Sequence, residues 1–212
     1  MRPSDPISCG GFPCTDVLRD AYRVPSVDID PETIEIIMIA EAAPPDPGDD
    51  FYAPGDPSYT RTTLMAFADA GVPAGGISDI IGRGIYITTA VKCAKTGYAI
   101  SPRTIENCSL LLEQEIALFP HASVVLLMGD VAKRAMNDIT KRQGGTAVIP
   151  SGSTYKIRKG EFRLSGRRYL PSYLMTGGNY LIEKSKRRMI AEDIREAVRL
   201  AENKGRRGAS PN

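Results

Sequence analysis

The run I-E-I-I-M-I-A at residues 34–40, continued by E-A-A-P at 41–44, decides the fold. It is short, rich in β-branched residues and apolar at nearly every position, as a strand buried on both faces requires. Two further runs read the same way: G-I-Y-I-T-T-A-V at 84–91 and S-V-V-L-L-M at 123–128. A fourth, Tyr169–Leu174, is shorter and more mixed. Helical patterns separate them, over Thr60–Ala70, Pro102–Leu118, Asp130–Ile139 and Glu183–Glu202. Ser101 is placed to cap the second of these, with Pro102 at its first helical position. Strands alternating with helices predict an α/β fold: a single three-layer α/β/α domain around a mainly parallel four-stranded sheet with right-handed crossovers. Ligands in such sheets bind at the carboxyl ends of the strands. That directs attention to Glu41 and the loop after it, to Thr88–Lys92 and to Leu174–Asn179. Residues 146–168, dense in Gly and Ser, read as a hairpin or irregular excursion before the last strand.

The 212 residues are 42% hydrophobic and 25% charged, ordinary for one domain with a sizeable core. Residues 1–203 read as that domain and 204–212, K-G-R-R-G-A-S-P-N, as a solvated, disordered tail. No apolar run approaches the roughly 20 residues of a membrane span. The first residues lack a secretory h-region, so a cytoplasmic protein is expected. The net charge of +2 conceals an asymmetry. Asp28–Asp69 holds ten acidic residues against Arg61 alone, whereas Lys156–Arg188 holds ten Lys and Arg against Glu161 and Glu183. The basic stretch suits phosphates, which makes DNA a candidate partner. The acidic loop with Asp46, Asp49, Asp50 and Asp56 lies beside the expected crevice and argues instead for a free nucleoside, a modified base or a small heterocycle.

Four cysteines form two pairs, Cys9 and Cys14 in C-G-G-F-P-C, then Cys93 and Cys108. In a reducing compartment disulfides are a poor reading, and four thiolates from two distant segments suit zinc or an iron–sulfur cluster.

Taken together these segments resemble the uracil-DNA glycosylase superfamily, especially its iron–sulfur branch often called family 4. The branch reads G-E-A-P-G after its first strand, where this chain has A-E-A-A-P at 40–44. It reads Y-I-T-N-V-V-K-C where this chain has Y-I-T-T-A-V-K-C at 86–93. Pro102, Glu106 and Cys108 match the approach to a further cysteine, and Met128-Gly129 with Ala132 match a strand ending in L-G before a helix. The final motif, a strand running into H-P-S and then a basic helix, corresponds to Y-L-P-S-Y-L-M-T-G-G and K-S-K-R-R-M-I-A-E-D-I. The resemblance extends from Cys9 to about Leu200.

The resemblance implies a monomeric DNA glycosylase that hydrolyses the N-glycosidic bond of a damaged or deaminated base. It implies a [4Fe–4S] cluster on Cys9, Cys14, Cys93 and Cys108, with zinc as the alternative metal. Glu41 takes the catalytic place. Ala42 and Ala43 would line the base pocket through their N–H groups, and Phe51, Tyr52 or Tyr59 would supply the stacking ring. Met175 or Leu174 would wedge at the extruded base, Asn179 or Tyr180 would add polarity, and Lys184, Lys186, Arg187 and Arg188 would meet phosphates. Three departures stand out. The first cysteine pair is spaced C-x4-C rather than C-x2-C. Thr89 replaces the asparagine that reads the uracil edge, and Leu174 replaces the histidine that supports the departing base. These changes imply a base preference altered from uracil. Two other readings stay open: a non-catalytic nucleic-acid-binding module on the same scaffold, and an enzyme for a small heterocycle or nucleoside. His121 falls at the opposite, amino end of the sheet.

Overall fold

The computed structural model describes residues 1–208; the side chains at 178, 179 and 205–208, and the whole of 209–212, are outside the described residues. In chain order the elements are β1 (Val17–Leu18), β2 (Ile36–Ala42), α1 (Ser58–Asp69), α2 (Ile77–Gly82), β3 (Ile85–Val91), β4 (Ala94–Lys95), α3 (Pro102–Ala117), β5 (Val124–Met128), α4 (Asp130–Arg142), α5 (Thr154–Ile157), β6 (Phe162–Leu164), β7 (Arg167–Ser172), α6 (Gly178–Ile182) and α7 (Lys184–Gly208).

The central sheet has strand order β3-β2-β5-β7-β6, so it contains five strands rather than the four expected. The first four run parallel, and β6 pairs antiparallel with β7 through a tight hairpin. The extra strand escaped the sequence because its three residues, F-R-L, with Phe162 and Leu164 half-buried and Arg163 exposed, are too short to form an apolar run. Residues 154–157 of the excursion before it form the short α5.

Period-2 alternation explains why the inner strands read as continuous apolar runs. Ile37 and Ile39 of β2 and Val125 and Leu127 of β5 face one core, which α3 and α4 close with Leu112, Ile116, Ala135 and Met136. Ile36, Met38 and Ala40, with Val124, Leu126 and Met128, face the other, closed by Phe67 of α1 and by Ile190, Ile194 and Ala197 of α7. Two apolar faces per strand, each covered by helices, give the three layers. Ser101 caps α3 as expected, accepting the Thr104 N–H at 3.2 Å. Helix α7 continues through residues 204–208, the first part of the expected tail.

A buried ion pair ties β3 to α3. The ammonium of Lys92, just beyond β3, meets the Glu115 carboxylate, and both side chains are fully buried. Lys92 Nζ also donates to Thr88 Oγ1 at 2.8 Å and to the Thr89 carbonyl at 2.6 Å. Glu115 Oε1 accepts the Tyr86 and Thr88 hydroxyls at 2.5 and 2.8 Å. Every partner is hydrogen-bonded, the condition under which a buried charge pair is tolerated.

The N-terminal segment is held by a second, two-stranded sheet of β1 against β4. The Asp16 carboxylate adds to this hold, accepting the Ser101 N–H at 2.7 Å and the Thr104 hydroxyl at the start of α3.

Glu115→Gln is expected to destabilise the fold by about 3–5 kcal/mol in urea denaturation, because it leaves the Lys92 charge buried and unpaired. Adding Lys92→Met to that variant should cost less than the sum of the two single changes, the signature of a direct coupling.

Candidate functional site

In this strand order the chain leaves β2 toward β3 on one side and later returns to β5 on the other. The carboxyl ends of β2 and β5 therefore flank the switch point, where an open α/β sheet leaves its crevice. Glu41, near the end of β2, lies in a cavity of about 440 Å³ there, together with Gly129, Tyr173, Leu174, Thr176 and Lys186. The backbone N–H groups of Val131 and Asp130, in the first turn of α4, are close enough to act on its carboxylate. Burial pushes the Glu41 carboxyl above its ordinary value; Lys95 and the two N–H groups pull the other way, while the Asp130 carboxylate adds to the rise. Gly129 makes this seat possible. Its φ is +95°, and a Cβ there would come within 2.9 Å of Glu41 Cδ.

The other residues expected around a base are distributed unevenly. Leu174 is half-buried on the same cavity. Thr89 is 5% exposed near the carboxyl end of β3, and its carbonyl is taken by Lys92. Ala42 pairs with Val91 inside the sheet, and the Ala43 N–H is spent on the Val91 carbonyl at 3.1 Å. Ala43 therefore has no N–H to offer a base, contrary to the expectation for this wall. Tyr52 is also committed: its hydroxyl donates to the Ile87 carbonyl at 2.7 Å and accepts the Ile87 N–H at 3.2 Å. It plugs the free edge of β3 instead of presenting a stacking face. Phe51 is 1% exposed, with Tyr59 packed on it at 5.1 Å between ring centroids. Tyr59 is half-buried, and the Thr176 side chain is close enough to act on its hydroxyl. It is the ring that sits between the acidic loop and the cavity, with the charges of Asp50, Asp49 and Glu41 all acting on it.

The loop after β7 corrects another expectation. Met175 is 0% exposed in the core shared with α7, so it cannot act as an apolar wedge in this conformation. Tyr180 is buried too, its hydroxyl donating to Asp69 at 3.0 Å. The Asn179 side chain lies outside the described residues. Ser172, ending β7, donates to Asp193 at 2.8 Å, and Arg158 Nη2 donates to the same carboxylate at 2.6 Å, which pins this loop's base to α7.

The acidic loop is largely spent on its own architecture. Asp46 accepts the Gly48 N–H, Asp49 the Ser58 N–H at the start of α1, and Asp50 the Tyr52 N–H. Asp56 pairs with Arg61. Asp50 nevertheless stands apart: burial raises its carboxyl above the ordinary range, and Arg23 and Lys92 act on it. The sequence showed it only as one of a run of aspartates, and burial is what distinguishes it. On the basic helix, Arg187 is neutralised by Asp69 at 2.5 Å, and Lys186 pairs with Glu183. Lys184 and Arg188 are exposed and form no ion pair among the described residues. His121 is on the surface beside Glu32, in the turn before β5.

All four cysteines are free thiols and line one cavity of about 370 Å³ behind the end of β3. Phe12, between Cys9 and Cys14, adopts φ +43° and packs edge-on against Tyr22 at 5.3 Å, fixing the loop. The Lys92 N–H donates to Cys108 Sγ at 3.2 Å, and Asn107 Nδ2 approaches Cys14 Sγ at 3.9 Å. Burial and the other three sulfurs push the Cys93 thiol up to about 12, so four thiolates together at this place require a cationic centre. Among the described residues no three His, Cys, Asp or Glu are gathered as tightly as a single metal ion needs. Four sulfurs around a shared cavity, with N–H groups directed at two of them, are a donor set that fits a larger cluster.

No helix among the described residues is long and apolar enough to cross a membrane. Residues 52–192, well over half the chain, match the profile of the uracil DNA glycosylase superfamily. A type-5 uracil-DNA glycosylase of Thermus thermophilus is 28% identical over 118 residues, which are 56% of this chain and 51% of that protein. The chain thus spans about half the length of that curated relative. Glu41, Cys9 and Cys14 precede the profile match, whereas Thr89, Cys93, Cys108 and Leu174 fall within it. A mainly parallel sheet with its crevice at the switch point and a profile match over four of its five strands lead to one conclusion: the chain belongs to the uracil DNA glycosylase superfamily.

Proposed function

We propose that this protein is a DNA glycosylase that hydrolyses the N-glycosidic bond of a damaged or deaminated base, with a preference shifted away from uracil. The observation that carries the reading is the Glu41 carboxylate, held on the first turn of α4 at the switch-point cavity. The target nucleotide must leave the stack and enter this cavity. Glu41 orients a water at the sugar C1′. The water oxygen bonds to C1′ as the C1′–N bond breaks, the bonding pair leaves with the base, and Glu41 takes the proton the water loses. Its negative charge also steadies the oxocarbenium character of the sugar.

Leaving-group support is where this site departs from the resemblance. Leu174 offers no donor, and the single hydroxyl of Thr89 cannot supply the paired donor and acceptor of an amide. A missing oxyanion donor costs about 2.7–4 kcal/mol of barrier. Uracil release is therefore slow unless other groups compensate. Thr176, which lines the cavity, is a group that could serve a base of different shape.

Cys9, Cys14, Cys93 and Cys108, which line one cavity, would hold a [4Fe–4S] cluster, with zinc as the alternative. The cluster would supply a structural crosslink between the N-terminal segment, the end of β3 and α3. DNA would bind across the carboxyl face, with Lys184 and Arg188 as the exposed phosphate contacts, a role Arg187 gives up to Asp69. The internal bonding of the acidic loop reduces its conflict with a phosphate backbone.

Purified protein should contain about four iron atoms per chain, absorb broadly in the visible, and lose that absorption on Cys93→Ser. A zinc content of one per chain without iron would overturn the cluster. On oligonucleotides carrying uracil, hypoxanthine, xanthine or oxidised pyrimidines, at least one should release its base. Glu41→Gln should slow that release by about 100-fold or more while leaving DNA affinity intact. DNA binding without release from any of them would favour a non-catalytic module. Because catalysis needs the carboxylate and burial raises its pKa, activity should fall as the pH drops through a value above the ordinary glutamate range. A pH profile flat across the acidic side would contradict that assignment.

A further inference from the structure

The amino end of the sheet, opposite the Glu41 crevice, carries a second concentration of polar groups that the glycosylase reading leaves unused. A cavity of about 330 Å³ is lined there by Ser123, Arg163, Arg168, Arg199, Asn203 and Lys204, among others. The five residues of β5 put about 17 Å between it and the switch point.

Three observations point to a ligand in this cavity. First, Arg163 and Arg168 are direct cross-strand partners in the β6–β7 hairpin. Like charges directly opposite each other destabilise a strand pair, and an anion between them removes that cost. Second, the Ser123 hydroxyl is buried with no hydrogen-bond partner among the described residues, in a residue only 7% exposed. Both backbone groups of Ser123 are already used, the N–H on the Glu35 carbonyl and the carbonyl on the Arg168 N–H. The hydroxyl is therefore the polar group this residue has left to offer. A buried hydroxyl without a partner is the kind of feature an ordered ligand satisfies.

Third, the charge around the cavity is predominantly positive. Arg168 is anchored by the Phe162 and Gly160 carbonyls, at 3.3 and 2.9 Å, and so is held in place before anything binds. Burial, and then Arg163 against the opposing Glu161 and Glu196, lowers its pKa. Arg199 pairs with Glu196 at 2.6 Å, so it contributes geometry more than net charge. Arg163 and Lys204 are exposed and have no ion-pair partner among the described residues. The cavity faces the late turns of α7, where the helix dipole disfavours an anion, so recognition falls to the side chains.

We propose that this cavity is a phosphate-binding site, taking either a free phosphomonoester or a backbone phosphate of a nucleic-acid segment that reaches the far end of the sheet. Arg163 and Lys204 supply the charge, Arg168 the fixed guanidinium, and Ser123 a hydroxyl donor. The site does not depend on the Glu41 reading, since it shares none of the crevice residues.

The test uses the full chain with its cysteine site loaded as purified. Calorimetric titration with inorganic phosphate and with thymidine 5′-monophosphate is compared for wild type, Arg163→Gln and Ser123→Ala. Binding of an undamaged 12-base-pair duplex and an undamaged 40-base-pair duplex is measured for the same three proteins. If the phosphate is free, Arg163→Gln should weaken both small ligands about tenfold or more, and Ser123→Ala should weaken them less. If it belongs to nucleic acid, the same changes should weaken the long duplex and spare the short one. Thermal unfolding gives a readout that separates binding from misfolding. Without phosphate Arg163→Gln should unfold no lower than wild type, because a like-charge pair is relieved; added phosphate should raise the wild-type midpoint and not the variant's. Unchanged affinity for phosphate, nucleotide and both duplexes in the two variants would overturn the site, as would a midpoint gain with phosphate of equal size in wild type and Arg163→Gln.

Discussion

The Lys92–Glu115 pair is the interaction on which the rest of this structure depends. It joins an edge strand of the sheet to the longest helix on one face, and its residues reach toward both the carboxyl end of β3 and the thiol cavity. On one side the Lys92 ammonium holds the Thr89 carbonyl near the carboxyl end of β3. On the other, the Lys92 N–H reaches Cys108, and the Lys92 carbonyl accepts the Arg23 N–H of the N-terminal segment. One residue thus connects the sheet, the thiol cavity and the chain that brings Cys9 and Cys14 to it. A buried pair of this kind adds little net stability, because desolvation offsets the attraction. Its effect is to fix one arrangement, since any shift of α3 along β3 would strand a full charge.

The same economy governs the crevice. Glu41 sits where it does because three constraints meet there: β2 ends at the switch point, α4 begins beside it, and Gly129 leaves room for its carboxylate. The acidic loop, whose charge alone suggests repulsion of DNA, turns out to be largely capping chemistry, with its carboxylates directed at backbone N–H groups and at Arg61. The basic helix is correspondingly less basic than it reads, because Asp69 absorbs Arg187 and Glu183 meets Lys186.

What could be read from the residues, and what could not, follows from the range of the interactions involved. The inner strands, the cap at Ser101 and the place of Glu41 were legible, because apolar runs, capping residues and the ends of strands are local signals. The convergence of four cysteines on one cavity was legible from their types and from the resemblance. The edge strand β6 was not, since three residues are too few to show a pattern of their own. The commitments of Tyr52 and Met175 were not legible for a shared reason: a loop aromatic and a loop methionine look available until tertiary structure ties one to a strand edge and buries the other. The engagement of the Ala43 N–H was not legible because its acceptor, the Val91 carbonyl, is distant in sequence. The Arg163–Arg168 opposition arises only once the hairpin register is known.

The central claim is that Glu41, in the seat Gly129 provides, performs base release. The most direct measurement is the single-turnover release rate of wild type and Gly129→Ala on the preferred lesion, with DNA affinity measured in parallel. The added methyl group must displace the Glu41 carboxylate, so the account expects release to slow by about 100-fold with affinity unchanged. Release at the wild-type rate from a folded Gly129→Ala protein would contradict it.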